Sequence, residues 1–293
     1  MTSNSATVFR FAPSPNGELH LGHAYSALLN FQMAKQTGGQ FLLRIEDIDT
    51  ERCRPDLETQ MLHDLEWLGI EWNETPRRQS EHFEIYRDAL DTLEDAGLVY
   101  PAFMSRREIK TTVENWGASW KTDPDGVPIY PGDEKNWSDD RIQQMQADRP
   151  THTKRLDMEA ACRHVGSTLH WEETGSGPEG ETGLVEADPQ AWGDVVLGRS
   201  DTPTSYHLSV VVDDALQGVT NIVRGQDLFW STSIHRLLQE LLGLPQPQYH
   251  HHRLITDDQG HKLSKSKKDT SIRALREAGL TPDDIRRLVF ADQ

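Results

Sequence analysis

The chain has 293 residues, of which 35% are hydrophobic and 26% are charged, the composition of a globular protein with a sizeable core. Its formal net charge of −17 argues against general adhesion to nucleic acid or to an anionic membrane, so an RNA partner needs a local basic surface. There is neither an apolar run of transmembrane length nor an amino-terminal signal core, and we expect a cytoplasmic protein with no membrane partner. The two cysteines, Cys53 and Cys162, form no metal-binding pair and no disulfide framework.

The first part of the chain predicts a parallel α/β sheet. A buried strand over 7–12 is followed by a loop over 13–17, because the prolines there lack the amide proton that a strand ladder requires. A helix runs from near Leu19 to Gly38, and a second strand covers 41–45. A strand, a crossover helix and a strand are the start of a doubly wound parallel sheet.

Further elements follow from the apolar spacing. Two helices end at Gly69 and Gly97, and a third ends at Gly243. Residues 100–190 show a weak pattern with no long helix, which indicates an inserted subdomain. Three segments are strand-like: 194–197, 206–212 and 219–223. The carboxyl-terminal part holds a lysine-rich loop and two short helical patterns.

The start of the first helix is a candidate phosphate site. His20 and His23 share one face of the helix at its amino terminus, where amide protons and the helix dipole favour an anion. Gly22 leaves room for a nucleotide against the backbone, and Pro13 lies in the loop that forms the other wall. Alone, such a histidine pair is more often ordinary surface or core.

The lysine-rich loop changes that balance. Lys262 and Lys265 lie among glycine and serine residues and are suited to neutralising charge on a transferring phosphate. A solvated charge run, which would include Lys267 and Lys268, is the plain alternative. With both motifs in this order in an α/β pattern, we predict an ATP site with catalytic roles for His20, His23, Lys262 and Lys265.

These motifs resemble those of a known family. Residues 10–17 with 20–23, and residues 262–266, resemble the HIGH and KMSKS motifs of class I aminoacyl-tRNA synthetases, most closely the glutamyl type. Three more segments share the resemblance: 44–49, 206–214 and 223–228. The resemblance implies a Rossmann-like catalytic domain that activates L-glutamate with ATP and Mg²⁺.

The resemblance also implies a domain organisation. Residues 1–99 and 191–245 are expected to form the two halves of the catalytic domain, 100–190 an inserted acceptor-binding-like subdomain, and 246–293 the lysine loop and a short helical region. The chain ends soon after the lysine loop, so we expect no anticodon-binding domain. This shortened form is similar to the subfamily that transfers glutamate to queuosine in the anticodon of tRNA(Asp). We expect a monomer.

The family pattern implies roles for individual residues. Arg10 and Arg224 would pair with the carboxylates of glutamate, because a neutral substrate would leave one guanidinium unpaired. Glu46 would hold the α-ammonium and Tyr206 would add a hydroxyl contact. The rest of the glutamate pocket is expected from Phe11, Ala12, Pro13 and Ser14. The ATP-binding residues implied are Pro13, His20, Gly22, His23 and Lys265.

One family feature is absent from the sequence. Members of the subfamily commonly carry zinc on a Cys-x-Cys pair followed by Tyr-x-x-x-Cys, but here the matching stretches are 101–104 and 130–134, without cysteine. Tyr130 and Glu134 alone do not complete a tetrahedral site, so we predict no zinc and no other protein-bound metal. We interpret His250 to His252 as part of a strand, since alternate side chains point in opposite directions.

Three alternatives stay open. A truncated glutamyl-tRNA synthetase acting on tRNA(Glu) is disfavoured by the missing anticodon domain. A small nucleotidyltransferase would share the histidine motif but not the lysine loop or the two arginines. A catalytically silent nucleotide- or RNA-binding module is disfavoured because both histidines and both loop lysines are present.

Overall fold

The computed structural model describes residues 6–117, 119–256 and 271–291. The predicted catalytic residues Lys262 and Lys265 lie outside these ranges. The strands are β1 (Val8–Phe11), β2 (Gln40–Ile45), β3 (Arg77–Arg78), β4 (Val99–Ala102), β5 (Thr153–Leu156), β6 (His170–Glu173), β7 (Gly183–Glu186), β8 (Val196–Arg199), β9 (Asn221–Gly225) and β10 (Gln248–His252). The α-helices are α1 (Leu21–Thr37), α2 (Pro55–Trp67), α3 (Phe83–Asp95), α4 (Arg106–Trp116), α5 (Asp139–Asp148), α6 (Met158–Val165), α7 (Tyr206–Leu216), α8 (Thr232–Leu241), α9 (Ile272–Glu277) and α10 (Pro282–Phe290).

The main sheet confirms the predicted Rossmann-like fold. Among the described residues its strand order is β3-β2-β1-β9-β10-β6-β7, and every pair is parallel except β6 with β7 at one edge. The chain returns to the centre of the sheet with β9, which lies between β1 and β10. The carboxyl ends of these three central strands therefore meet at one edge, where ligands bind in open parallel sheets.

Helices cover both faces of this sheet. Side chains alternate along each strand, so Phe9 and Leu43 pack in one core with α1, α2 and α10. Val8 and Leu42 face the other core, which α3, α7 and α8 complete. This is the doubly wound arrangement expected from the strand–helix–strand pattern.

One helix is tied directly to the central strand. Asn30 of α1 is fully buried, and its side-chain amide donates to the carbonyl of Ser26 at 2.9 Å and to that of Val223 in β9 at 3.0 Å. The helix ends at Gly38, whose φ of 64° is a left-handed conformation that favours glycine.

The prediction of a strand over 206–212 was wrong. These residues begin α7, which follows Ser205 in extended conformation. Every residue from Leu208 to Asp214 is buried, so the helix has no solvent-exposed face in this stretch and its sequence shows no helical period. The run Val210 to Val212 then resembles a buried strand because branched residues favour β structure.

The segment with the weak pattern contains regular structure. It includes α4 and α5, neither of which has a fully buried residue, and this explains why no apolar stripe predicted them. Strands β4, β5 and β8 form a separate antiparallel sheet. Strands β6 and β7 belong to the main sheet instead. The strands within 100–190 are therefore divided between the two sheets, and the domain boundaries stay a prediction. No helix in the described residues has both the length and the apolarity to span a membrane.

Candidate active site

A cavity of about 670 Å³ lies at the carboxyl ends of β1, β9 and β10, beside the start of α1. Most of the predicted ATP and glutamate residues in the described part of the chain line it: Arg10, Phe11, Ala12, His20, Gly22, His23, Glu46, Tyr206 and Arg224. The structure thus brings both predicted subsites into one cavity, although they come from distant parts of the sequence.

The two histidines are part of the amino-terminal cap of α1. His20 Nδ1 accepts from the Gly22 amide at 3.1 Å, and His23 Nδ1 accepts from the His20 amide at 3.2 Å. A neutral imidazole that accepts through Nδ1 carries its proton on Nε2. Both rings therefore have a fixed tautomer that donates through Nε2, which suits an oxygen-rich anion. Gly22 permits this geometry, since a Cβ there would lie 3.0 Å from His20 Cε1.

Arg10 and Glu46 belong to a buried ion-pair network centred on Asp214. The Asp214 carboxylate accepts from Arg10 Nε at 2.9 Å and from Arg44 Nη1 at 2.8 Å. Arg44, which is fully buried, also donates to Glu46 Oε1 at 3.4 Å. Burial alone would raise the pKa of Asp214, but the Arg10 and Arg44 charges hold it below its usual range. Burial raises the pKa of Glu46 despite the nearby guanidinium of Arg44.

This network leaves one edge of the Arg10 guanidinium without a hydrogen-bond acceptor among the described residues. Arg10 uses Nε and Nη2 on Asp214, and Nη1 has no acceptor among the described residues. Arg10 and Asp214 are each less than 5% exposed, so a ligand meets a rigid guanidinium edge rather than a mobile side chain. A carboxylate is the complementary partner for such an edge.

Arg224 is engaged differently from Arg10. Its Nε donates to His251 Nε2 at 3.0 Å, and Nη1 points to His235 Nδ1 at 3.1 Å and to the Tyr206 hydroxyl at 3.4 Å. Its Nη2 donates to the Leu228 carbonyl at 3.1 Å and to Thr232 Oγ1 at 2.7 Å. Because a guanidinium has five N–H groups, all of them already have protein acceptors. Arg224 lines the cavity as predicted, but Arg10 has the available edge.

The buried carboxylate of Glu173 positions Arg224 indirectly, through His251. Glu173 Oε2 lies 2.6 Å from His251 Nδ1, and Oε1 accepts the His251 amide at 2.8 Å. Burial, together with the Arg224 charge, lowers the pKa of His251 to about 4 even though Glu173 opposes the shift. Neutral His251 therefore donates through Nδ1 to Glu173 and accepts the Arg224 Nε–H through Nε2.

Two predicted pocket residues stand behind the cavity wall. The Pro13 carbonyl accepts the Glu46 amide at 3.0 Å, so this loop positions the backbone of Glu46. Ser14 Oγ lies 3.5 Å from Cys53 Sγ. Neither Pro13 nor Ser14 is among the residues that line the cavity.

Several lining or supporting residues were not predicted as site residues. Asp214 and Arg44 lie in two segments that share the family resemblance, 206–214 and 44–49, but no individual role was predicted for either residue. His252 and Asp227 also line the cavity. The signal that could have revealed Asp214 is charge balance, because a buried Arg10 needs a buried anion.

The family's zinc position holds a hydrogen-bonded carboxylate. Glu134 is 1% exposed, and its Oε1 accepts from the Tyr130 hydroxyl at 2.5 Å and from the Phe103 amide at 3.2 Å. Phe103 offers no metal-ligating atom in its side chain, so these residues do not fit a tetrahedral zinc. Within the described ranges no group of three or more His, Cys, Asp or Glu residues could hold a metal ion. The absence of zinc stays a prediction.

The comparisons with known proteins agree with this geometry. Residues 6–290 match the family described as tRNA synthetases class I (E and Q), catalytic domain. The chain belongs to the class I tRNA synthetases. It is accordingly a ligase of the aminoacyl-tRNA synthetase type.

Named relatives fall into two groups. A Glutamyl-Q tRNA(Asp) synthetase from Rhodobacter capsulatus is 47% identical over 283 residues, an alignment covering 96% of this chain and 99% of that protein. A Glutamate–tRNA ligase from Prochlorococcus marinus is 35% identical over 279 residues, which are 94% of this chain but 56% of the ligase. The chain therefore matches that synthetase over nearly its full length and spans about half of that ligase.

A solved structure supports the fold. The chain is similar to a glutamate tRNA ligase from Elizabethkingia meningosepticum in complex with its amino acid, with a TM-score of 0.74 and 27% identity. The match covers 90% of this chain and 53% of that one. The match supports the same architecture for this chain's sheet and helices.

Proposed function

We propose that the chain activates L-glutamate with ATP to form glutamyl-adenylate and transfers the glutamyl group to queuosine in the anticodon of tRNA(Asp). The observation that carries the first step is the cavity itself, in which a histidine-capped helix start adjoins the open edge of Arg10 and the carboxylate of Glu46. Anion donors on one side and opposite charges on the other match a nucleotide next to an amino acid.

The charges fit a zwitterionic acid of the glutamate type. The Glu46 carboxylate suits an α-ammonium, while the Arg10 guanidinium suits a side-chain carboxylate. Arg224, held by five acceptors, orients the Tyr206 hydroxyl through its 3.4 Å contact, and that hydroxyl keeps its own proton for a substrate oxygen. A neutral amide would leave the buried Arg10 edge without an anion, which disfavours glutamine.

The chemistry requires placement more than covalent help. The glutamate α-carboxylate attacks the α-phosphate of ATP, the bond to pyrophosphate breaks, and no protein nucleophile takes part. The Nε2–H groups of His20 and His23 would stabilise phosphate oxygens. Lys262 and Lys265, outside the described residues, are proposed to neutralise the departing pyrophosphate. Mg²⁺, which needs few protein carboxylates when it enters with a triphosphate, would neutralise the phosphates, and Asp227 is a carboxylate in this cavity.

The acceptor is proposed from the names of the relatives and from their identity to this chain, 47% for one and 35% for the other. The protein that this chain matches over 99% of its length is called a Glutamyl-Q tRNA(Asp) synthetase. The runner-up, transfer to tRNA(Glu), is supported by relatives called Glutamate–tRNA ligase, of which the chain spans about half, 56% in one case. We place the reaction in the cytoplasm, where tRNA is available, and expect a monomer.

Glutamate-dependent exchange of pyrophosphate into ATP tests the activation step. We expect exchange with glutamate and little with glutamine or aspartate. Lys265→Ala should suppress exchange much more than it weakens glutamate binding, while Lys35→Ala, which changes an exposed lysine in the last turn of α1, should leave exchange unaltered. Exchange that does not depend on glutamate, or an unaltered Lys265→Ala variant, would contradict the assignment.

A comparison of three RNAs tests the acceptor. Labelled glutamate is offered with tRNA(Asp) carrying queuosine, with the same RNA lacking it, and with tRNA(Glu). We expect label in the first RNA alone. Label in tRNA(Glu) would favour the runner-up, and exchange without label in any RNA would limit the function to activation.

A further inference from the structure

A second cavity lies on the other side of Tyr206. It has a volume of about 830 Å³ and is walled by α4 residues such as Arg106 and Lys110, by Trp192, and by the start of α7. Tyr206 lines both cavities, whereas its neighbour His207 lines only the second. A group entering the second cavity thus approaches the amino-acid site past Tyr206.

The protonation of His207 is dictated by a chain of hydrogen bonds that starts at Arg224. Arg224 Nη1 lies 3.1 Å from His235 Nδ1, and a guanidinium only donates, so His235 accepts through Nδ1. Neutral His235 then carries its proton on Nε2, which lies 3.2 Å from His207 Nδ1. His207 Nδ1 must therefore accept, and the remaining proton of neutral His207 is on Nε2.

Electrostatics favour the neutral form of both rings. Burial, with the charge of Arg224, lowers the pKa of His207 to about 4 and places that of His235 well below its ordinary value. Near neutral pH, Arg224 therefore donates to His235, and His235 donates to His207. His207 Nε2–H has no acceptor among the described residues, and the ring lines the second cavity.

We propose that His207 Nε2–H binds a hydrogen-bond acceptor atom of the acyl-accepting nucleoside in the second cavity, with Arg224 and His235 fixing its tautomer. This rests on the proposed function, since it names a contact of the transfer step. The fixed tautomer also excludes one role, because a nitrogen that carries the proton does not act as the base for the attacking hydroxyl. His207 orients the acceptor, and Arg224 thereby connects the amino-acid cavity to the acceptor cavity.

The kinetic test separates activation from transfer. His207→Phe keeps a ring but removes the donor, and His207→Gln keeps an N–H. We expect the ratio of transfer rate to pyrophosphate-exchange rate to fall about tenfold in His207→Phe, the effect of one lost hydrogen bond. His207→Gln should recover part of it, and His164→Gln, which changes an exposed histidine, should leave the ratio unchanged. An unchanged ratio in His207→Phe overturns the proposal.

A spectroscopic test does not depend on any variant. Nitrogen chemical shifts of ¹⁵N-labelled histidine in the intact protein distinguish a protonated ring nitrogen from an unprotonated one. We expect His207 to carry its proton on Nε2 at neutral pH, and a proton on Nδ1 overturns the proposal. Failure of the proposed function gives a different result, namely absence of glutamate-dependent exchange or of transfer in the unaltered protein.

Discussion

Buried carboxylates have different partners in the candidate pocket and in the segment 100–190, the predicted insert. In the pocket, Asp214 accepts from two arginines, one of which presents its other edge to the cavity while the second contacts Glu46. In the insert, Glu134 accepts from a phenol and a backbone amide and joins segments of chain. The comparison teaches that a buried carboxylate indicates a ligand site when its partner has an unused hydrogen-bond donor facing a cavity. Where the partners have no such donor, the carboxylate stabilises the fold.

The largest expected effect is on the pocket side of this comparison. Arg10→Gln removes the guanidinium edge, while Asp214 keeps Arg44 as a partner. We expect kcat/KM for glutamate in pyrophosphate exchange to fall at least about a hundredfold, or about 3 kcal/mol. Arg77→Gln is the matched control because Arg77 pairs with Asp213 and does not line the cavity. Equal glutamate kinetics in the two variants would remove the distinction between ligand-reading and structural charges.

On the insert side we expect a loss of stability without loss of chemistry. Glu134→Ala strands the Tyr130 hydroxyl and the Phe103 amide, which should lower the free energy of unfolding by about 2 kcal/mol. Exchange activity should persist, and urea unfolding together with exchange assays measures both. The purified protein should contain no stoichiometric zinc by elemental analysis. A strong loss of glutamate activation in Glu134→Ala would show that the insert link also serves the pocket.

The histidine network predicts an acid-sensitive stability. The folded-state pKa of His251 is about 4, against an ordinary value of 6.5, and the pKa of buried His235 is also lowered. The unfolded chain then binds more protons in this window, so stability falls as pH drops from 6.5 towards 4, by up to about 1.4 kcal/mol per pH unit for each such histidine. Unfolding midpoints across this range check it, and His251→Gln should flatten the slope. Stability that is constant or rises on acidification would contradict the assignment of neutral rings.

The smallest effect is expected at the surface. Glu159→Gln breaks an ion pair with Arg163 in α6, where both side chains are about two-thirds exposed, at 69% and 67%. Such pairs contribute roughly 0.5 kcal/mol or less, so unfolding should hardly change. This variant is a baseline for Glu134→Ala, and a similar change in both would mean that burial does not separate the two kinds of carboxylate.

Part of the candidate site was predicted from local features of the sequence. The proline-rich loop and the helix start identified His20 and His23, and motif resemblance added Glu46 and Arg224. Asp214 was missed because α7 is buried on nearly all sides and has no visible period. The pairing of Asp214 with Arg10 spans 204 residues, and such long-range contacts leave no trace in local spacing.

The engagement of Arg224 could not be predicted either. Its residue type suggests a carboxylate ligand, yet its five N–H groups are all used by neighbours brought together by β9, β10 and α8. The first strand–helix–strand unit was predictable, since β1 and β2 lie close to the expected positions. The exposed helices α4 and α5 were not, because they lack a buried face.

The amide of Asn30 has a mechanical consequence for substrate choice. By bonding α1 to β9 through Val223, it ties the imidazoles at the start of that helix to the central strands, because β9 pairs with β1, the strand that bears Arg10. The separation between the nucleotide end and the acid end is then set when the protein folds. The cavity therefore selects an amino acid by the length of its side chain. In a diacid one methylene shorter than glutamate, the distal carboxylate should not reach the guanidinium of Arg10.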